Sequence, residues 1–177
     1  MTAAVFALWG VAFSAVIVGV ARDLRDRIIP NALVLIVGAA GIAMHLFDQG
    51  WNVWYGLAAT TAVYLGGAAL SYWGYIGGGD AKLIVASTLL VPPEDVARLL
   101  LSIALAGGVL SCFYLAAKPL LARGKLARIE DGTGMTTGAP ISNLMRSEAN
   151  RILAGEPMPY ALAIFGGLAF HFLVEVI

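Results

Sequence analysis

The sequence predicts an all-α, polytopic membrane protein with about six transmembrane helices and both chain ends on the outer side. Its composition is the first reason: 60% of the 177 residues are hydrophobic and 12% are charged, and the mean hydropathy is +0.85. A soluble domain of this length carries about a quarter charged residues. The second reason is the recurrence of apolar runs close to the ~20 residues a helix needs to cross the hydrocarbon. The third is the placement of basic residues, which gather on one set of loops. No stretch is long and polar enough to fold separately, so residues 1–177 are expected to form a single integral membrane domain.

The first run, Ala3–Ala21, has no basic residue before it and reads as a retained span rather than a cleaved leader. The second, Ala32–Phe47, follows Pro30-Asn31, and a proline in the first turn suits a helix start. The third covers Val53–Tyr75 and the fourth Ala81–Val91, which Pro92-Pro93 ends. The fifth is Val96–Ala117. The sixth, Met158–Ile177, opens between Pro157 and Pro159.

The fourth run is short. From Asp80 to Val91 it rises about 18 Å against a hydrocarbon core of about 30 Å. The bilayer thins there, the helix starts below the surface, or the proline corner lies inside the membrane. Irregular backbone such as Gly77–Gly79 is tolerated at depth only where protein or a wet cavity surrounds it.

Every basic residue except Arg98 falls on one side of this arrangement: Arg22, Arg25 and Arg27 in the first loop, Lys82 after the third span, and the rest in or beside Lys118–Glu156. The opposite side carries Asp48, Glu94, Asp95 and Glu175. The basic side is the cytoplasmic one, and the Asp23 and Asp80 ends of their spans face it. Lys118–Glu156 reads as a mobile cytoplasmic loop followed by a short amphipathic helix near Ile141–Leu153. Its glycine-rich part, 132–138, lacks the Gly-Lys-Ser/Thr ending of a phosphate-binding loop.

Zero net charge gives no bulk attraction to nucleic acid, and one cysteine, Cys112, excludes a disulfide framework or cysteine metal site within the chain. No metal or cofactor is expected. The chemistry-bearing candidates are carboxylates. Asp80 follows Gly77-Gly78-Gly79 in mostly membrane sequence, where an ionisable group is costly to keep. Asp23 ends another apolar run. Two carboxyl groups close enough to share one proton can together hydrolyse an amide: the ionised one takes a proton from water, and the protonated one polarises the carbonyl. The glycines would permit backbone shapes closed to other residues and let a helix or substrate strand approach closely.

Blander readings stand beside these. Asp80 can be a helix N-cap after a glycine turn. Asp23 and Asp26 can be solvated interfacial charges paired with Arg22, Arg25 or Arg27. What favours catalysis is the pair, on one expected face, each acid at the cytoplasmic end of a different span.

Asp23-Leu24-Arg25-Asp26-Arg27-Ile28-Ile29-Pro30-Asn31, followed two spans later by Gly77-Gly78-Gly79-Asp80-Ala81-Lys82-Leu83, resembles the prepilin peptidase family of GxGD-type membrane aspartic proteases. The likeness is to the short peptidases of tight-adherence (Flp) pilus systems, and Pro159-Tyr160-Ala161-Leu162-Ala163-Ile164 with Gly166-Gly167 is similar to the family's last span. The resemblance implies that Asp23 and Asp80 are the catalytic acids. It makes Gly77, Gly78, Gly79, Pro30, Asn31 and Lys82 supporting or substrate-binding positions. It implies cleavage of a prepilin just after the glycine that ends its basic leader, at the cytoplasmic face of a bacterial inner membrane. Larger members carry four cysteines in an added cytoplasmic region and also methylate the new N-terminus; those cysteines are missing here, so methyl transfer is not expected.

Two rivals belong to other classes. A small transporter or channel subunit would use Asp23 and Asp80 for cation or proton binding, and broken glycine helices suit that role. It calls for polar residues along a path, yet the outer halves of the spans hold few, and His45 and His171 read as interfacial or packed residues. A non-catalytic assembly protein on the same fold would not need both acids.

Overall fold

The computed structural model describes residues 3–47, 53–130, 151–152 and 158–176. These are helical with no strand among them: α1 (Ala3–Asp26), α2 (Asn31–Phe47), α3 (Val53–Tyr72), α4 (Gly78–Thr88), a single 3-10 turn (Pro93–Asp95), α5 (Val96–Glu130) and α6 (Tyr160–Val176). Helices α1 and Pro93–Pro119 are long and apolar enough to cross a membrane by length and composition, and Asn31–Phe47 and Tyr160–Val174 are shorter apolar helices.

The chain divides into two compact units, Met1–Gly107 with Pro159–Ile177, and Gly108–Met158. In the first, α1 packs on α2 and α6, while the short α4 packs on α2, α3 and α6. Helices α1 and α6 each bury one seam. On α1 it is Val5, Trp9, Ala12, Val16, Gly19 and Asp23, at alternating steps of four and three. On α6 it includes Ala161, Ile164, Leu168 and His171. The ring of Phe13 meets Phe165 and Phe172 edge-on at centroid distances of 6.1 and 5.5 Å, and Trp9 lies 5.0 Å from Phe172. This aromatic cluster joins α1 to α6 and fixes which residues meet further along the pair. Large apolar residues elsewhere, such as Leu35, Leu65 and Phe170, face outward, a pattern rarely tolerated over wide areas in water.

Close helix approach depends on two glycines. A methyl on Gly41 would stand 2.6 Å from the Leu89 backbone, and one on Gly167 2.5 Å from Ile103 Cα. Leu89 begins the corner after α4, where Leu90 and Val91 are fully buried. The non-helical backbone there is enclosed by protein, as depth in a membrane requires.

Several boundaries differ from expectation. Helix α1 continues past Ala21 to Asp26, so Asp23 lies within the helix rather than beyond a span. Helix α2 starts at Asn31, leaving Pro30 just ahead of it with its carbonyl accepting from Leu33 N–H at 3.0 Å. Helix α5 does not stop at Ala117: it runs through Pro119 to Glu130, so the expected loop does not begin at Lys118. The residues beyond Pro119 are mostly Leu, Ala, Arg and Lys, all strong helix formers. The glycine-rich stretch 132–138 lies outside the described residues, as does the helix expected over Ile141–Leu153 apart from the helical pair Arg151 and Ile152.

Within the second unit, the Ser111 hydroxyl donates to Met158 Sδ at 3.5 Å, and Cys112 is exposed.

Candidate active site

Asp23 occupies the last turn of α1 and is 6% exposed, buried because it continues that helix's inner seam. Its Oδ2 accepts a hydrogen bond from the backbone N–H of Ala161 at 3.3 Å. Ala161 is the second residue of α6, where N–H groups have no partner within the helix and the dipole is positive. A buried carboxylate thus meets an unfilled helix terminus. The solvated reading of Asp23 does not describe it; it does describe Asp26, exposed with Arg25 Nε 3.7 Å from its carboxylate.

Asp80 is the third residue of α4 and lies in that helix's positive first turn. It is not the N-cap. Gly77 holds that place with an ordinary extended backbone (φ −63°, ψ 140°) and no side-chain cap. Asp80 Oδ1 is buried and accepts no hydrogen bond among the described residues. Its Oδ2 turns back over Gly77, so a methyl group there would stand 2.8 Å from it.

The two acids come from α1 and α4, yet the charge of Asp23 acts on Asp80, and so does that of Arg27. The charge of Asp80 in turn reaches the Tyr160 phenol at the start of α6. One end of the first unit therefore gathers two carboxylates, a guanidinium, a phenol and two helix N-termini.

A sequence profile of the type IV leader peptidase family matches residues 10–112, a stretch that contains both aspartates. The chain belongs to the type IV leader peptidase family. No curated protein and no solved structure matches it. Membership makes this a peptidase of membrane character, of a family whose substrates are prepilins.

The positions expected from the sequence to support the site fall into two groups. Gly77 gives room to the Asp80 carboxylate, whereas a methyl on Gly79 would make ordinary contact, 3.4 Å from Ile29 Cβ. Gly78 is in ordinary contact with Ser71. None of the three has a positive φ; the glycine that does is Gly74, in the turn before them. Of the three, Gly77 alone is needed for space, and none for unusual backbone shape. Lys82 and Asn31 pair with each other: Lys82 Nζ donates to Asn31 Oδ1 at 3.3 Å on an exposed surface, tying α4 to the start of α2.

Beside Ala81 and Tyr160 opens an apolar cavity of about 260 Å³, lined also by Gly66, Gly67, Ile84 and Ala104. A second, of about 330 Å³, lies on the other flank of α3, against Tyr64, Ser71 and Lys82. Among the described residues no three of His, Cys, Asp and Glu stand together as a metal-ligand set. His171 is buried and interacts with Asp95 and Arg98, and His45 packs near Gly56.

Arg27 and Tyr160 were not singled out as site residues from the sequence. Spacing from Asp23 does not find Arg27, because α1 ends at Asp26 and Arg27 leaves the helix with left-handed backbone.

Proposed function

We propose that this peptidase is an aspartic endopeptidase that removes the basic leader from a type IV, Flp-like prepilin, using Asp23 and Asp80 as a proton-sharing pair. The observation that carries the reading is the placement of two carboxylates from α1 and α4 in each other's electrostatic field at one end of the helical unit. Asp80 lies in the positive first turn of α4, and Asp23 meets the positive start of α6, settings that favour a carboxylate's charge. Two carboxyl groups so confined share a proton rather than both ionising.

In the proposed reaction the ionised carboxyl takes a proton from water, and the resulting hydroxide attacks the scissile carbonyl carbon. The protonated carboxyl donates to the carbonyl oxygen, giving a tetrahedral diol. Collapse of the diol breaks the C–N bond: the proton taken from water passes to the leaving nitrogen, and one diol hydroxyl returns its proton to the carboxylate that had protonated the carbonyl oxygen. Peptide and water become one new carboxyl terminus and one new amine, with both aspartates restored.

A prepilin offers a basic leader followed by an apolar helix in the bilayer, which puts the scissile bond at the cytoplasmic interface. The apolar cavity between α3, α4 and α5, bordered by Ala81 and Tyr160, suits side chains from the start of that helix. The six-span arrangement belongs to the same proposal, with Asp23 and Asp80 facing the cytoplasm and the chain ends outside. Exposed Trp54 and Tyr55 at one end of α3, with Tyr72, Trp73 and Tyr75 at the other, suit a span with both ends at membrane interfaces. Leader removal, rather than N-methylation, is the activity these residues account for.

The test is co-expression with a prepilin. Asp23→Asn and Asp80→Asn each should abolish the gel shift of leader removal while the variants still insert, and Asp26→Asn should retain most of it. Continued processing by either of the first two variants would end the proposal, and an ion-flux defect with normal processing would indicate a transporter.

A further inference from the structure

Among the described residues, the one non-glycine residue with left-handed backbone is Arg27, at φ 54°. An L side chain meets steric resistance there, which is why glycine or asparagine usually closes a helix in this way. The turn is closed by Arg27 N–H donating to the Asp23 carbonyl at 3.0 Å. It carries the chain off the end of α1 and leaves the Arg27 side chain half-buried, with Nε and Nη1 removed from solvent.

The other cations of this segment behave differently. Arg22 and Arg25 are exposed, and Arg25 stands 3.7 Å from the exposed Asp26. A guanidinium is permanently charged, and removal from water is costly unless anions receive it. Ile29, two residues on, brings this segment against Gly79, where a methyl would stand 3.4 Å from Ile29 Cβ, and among the charges that the Arg27 guanidinium reaches is Asp80, whose buried Oδ1 accepts no hydrogen bond among the described residues. An Asp23–Asp80 pair sharing one proton carries one net negative charge, and one guanidinium balances it.

We propose that Arg27 is a positioning residue of the aspartate pair: its guanidinium balances the pair's single negative charge and holds the Asp80 carboxyl facing Asp23, and the strained left-handed turn exists to aim it there. This rests on the reading of Asp23 and Asp80 as the catalytic pair. The guanidinium forms and breaks no bond in the reaction. It keeps the second carboxyl within reach of the first, so its loss falls on turnover rather than on substrate binding, which the apolar cavity and the membrane provide.

The full chain, purified in lipid nanodiscs, would be assayed with a prepilin for kcat and KM in parallel with thermal unfolding. Arg27→Gln should lower kcat by about 10- to 100-fold with KM within about twofold. Arg27→Lys, which keeps the charge, should recover a large part of that loss. Arg27→Gly, which relaxes the backbone, should unfold at a higher temperature than Arg27→Gln yet be equally slow. Full turnover by Arg27→Gln would overturn the proposal. So would Arg27→Lys as slow as Arg27→Gln, or recovery of activity by Arg27→Gly, since the turn alone would then be what mattered. Asp23→Asn and Asp80→Asn run beside them separate the two levels. If both are inactive and Arg27→Gln is normal, only the role of Arg27 is lost. If either retains activity, the pair is not catalytic and the role of Arg27 falls with it.

Discussion

A carboxylate on a helix seam otherwise made of Val5, Trp9, Ala12, Val16 and Gly19 is tolerated only where something inside receives it, and the Ala161 N–H does so. This gives Asp23 a fixed direction, whereas Asp80 owes its direction to an absence: Gly77 has no Cβ where Oδ2 lies. Gly77→Ala should therefore lower processing by about 10-fold or more with little change in thermal stability, because the atom that must move is the end of a flexible side chain. Wild-type processing by this variant would show that the carboxylate needs no such room. The seam of Asp23 was legible, since its steps of four and three from Val5 onward can be read from residue numbers. The inward turn of Arg27 was not: Arg22, Arg25 and Arg27 are one residue type within six positions, and a left-handed φ leaves no mark when the residue is not glycine. The Gly77–Gly79 run was misleading in the opposite direction, suggesting special backbone where only space at Gly77 is used.

In lipid, apolar surface gains little by leaving the tails, so helices associate through close packing, and small residues at crossings matter more than large ones. Gly41 and Gly167 are where backbones, not flexible side-chain ends, would be struck by a methyl group. Gly41→Ala and Gly167→Ala should each destabilise the folded unit by about 1–3 kcal/mol. Gly10→Ala, with open space around it, should be neutral or stabilise α1 by up to about 1 kcal/mol. Thermal unfolding of the three variants in one detergent checks this, and a Gly10→Ala loss equal to the other two would refute it. The turn between α1 and α2 and the corner after α4 were readable from Pro30 and Pro92-Pro93, because proline acts locally. The end of α5 was not, because Lys118-Pro119 has the look of a stop and the helix formers after it outweigh that signal. The shortness of α4 was readable too, but not its consequence. Its C-terminal corner is buried under α2, with Leu89 against Gly41, and that depends on residues some fifty positions away in the chain.

The membrane orientation of the proposed enzyme follows from charge placement and can be checked independently of catalysis. Asp23, Asp80 and the start of α6 share one end of the first unit. Asp95 in the 3-10 turn and Arg98 at the start of α5, paired at 2.7 Å, interact with His171, far along α6 from its start. Arg22, Arg25, Arg27 and Lys82 all belong to the first end, and among the described residues Arg98 is the lone Lys or Arg near the second. Moving that many cations to the outer side would oppose the usual bias, so the first end should face the cytoplasm. Replacing Cys112, the sole cysteine and an exposed one, by serine gives a silent background for single reporters. Tyr75→Cys, at an exposed position before α4, and Glu94→Cys, in the exposed 3-10 turn after it, bracket that helix. A membrane-impermeant maleimide applied to intact spheroplasts should label Glu94→Cys alone, and label Tyr75→Cys only after the membrane is opened. Labelling of Tyr75→Cys from outside would place the aspartates on the wrong side of the membrane for a leader that stays in the cytoplasm, and the proposed substrate would have to be abandoned even if the two carboxyl groups hydrolyse peptides.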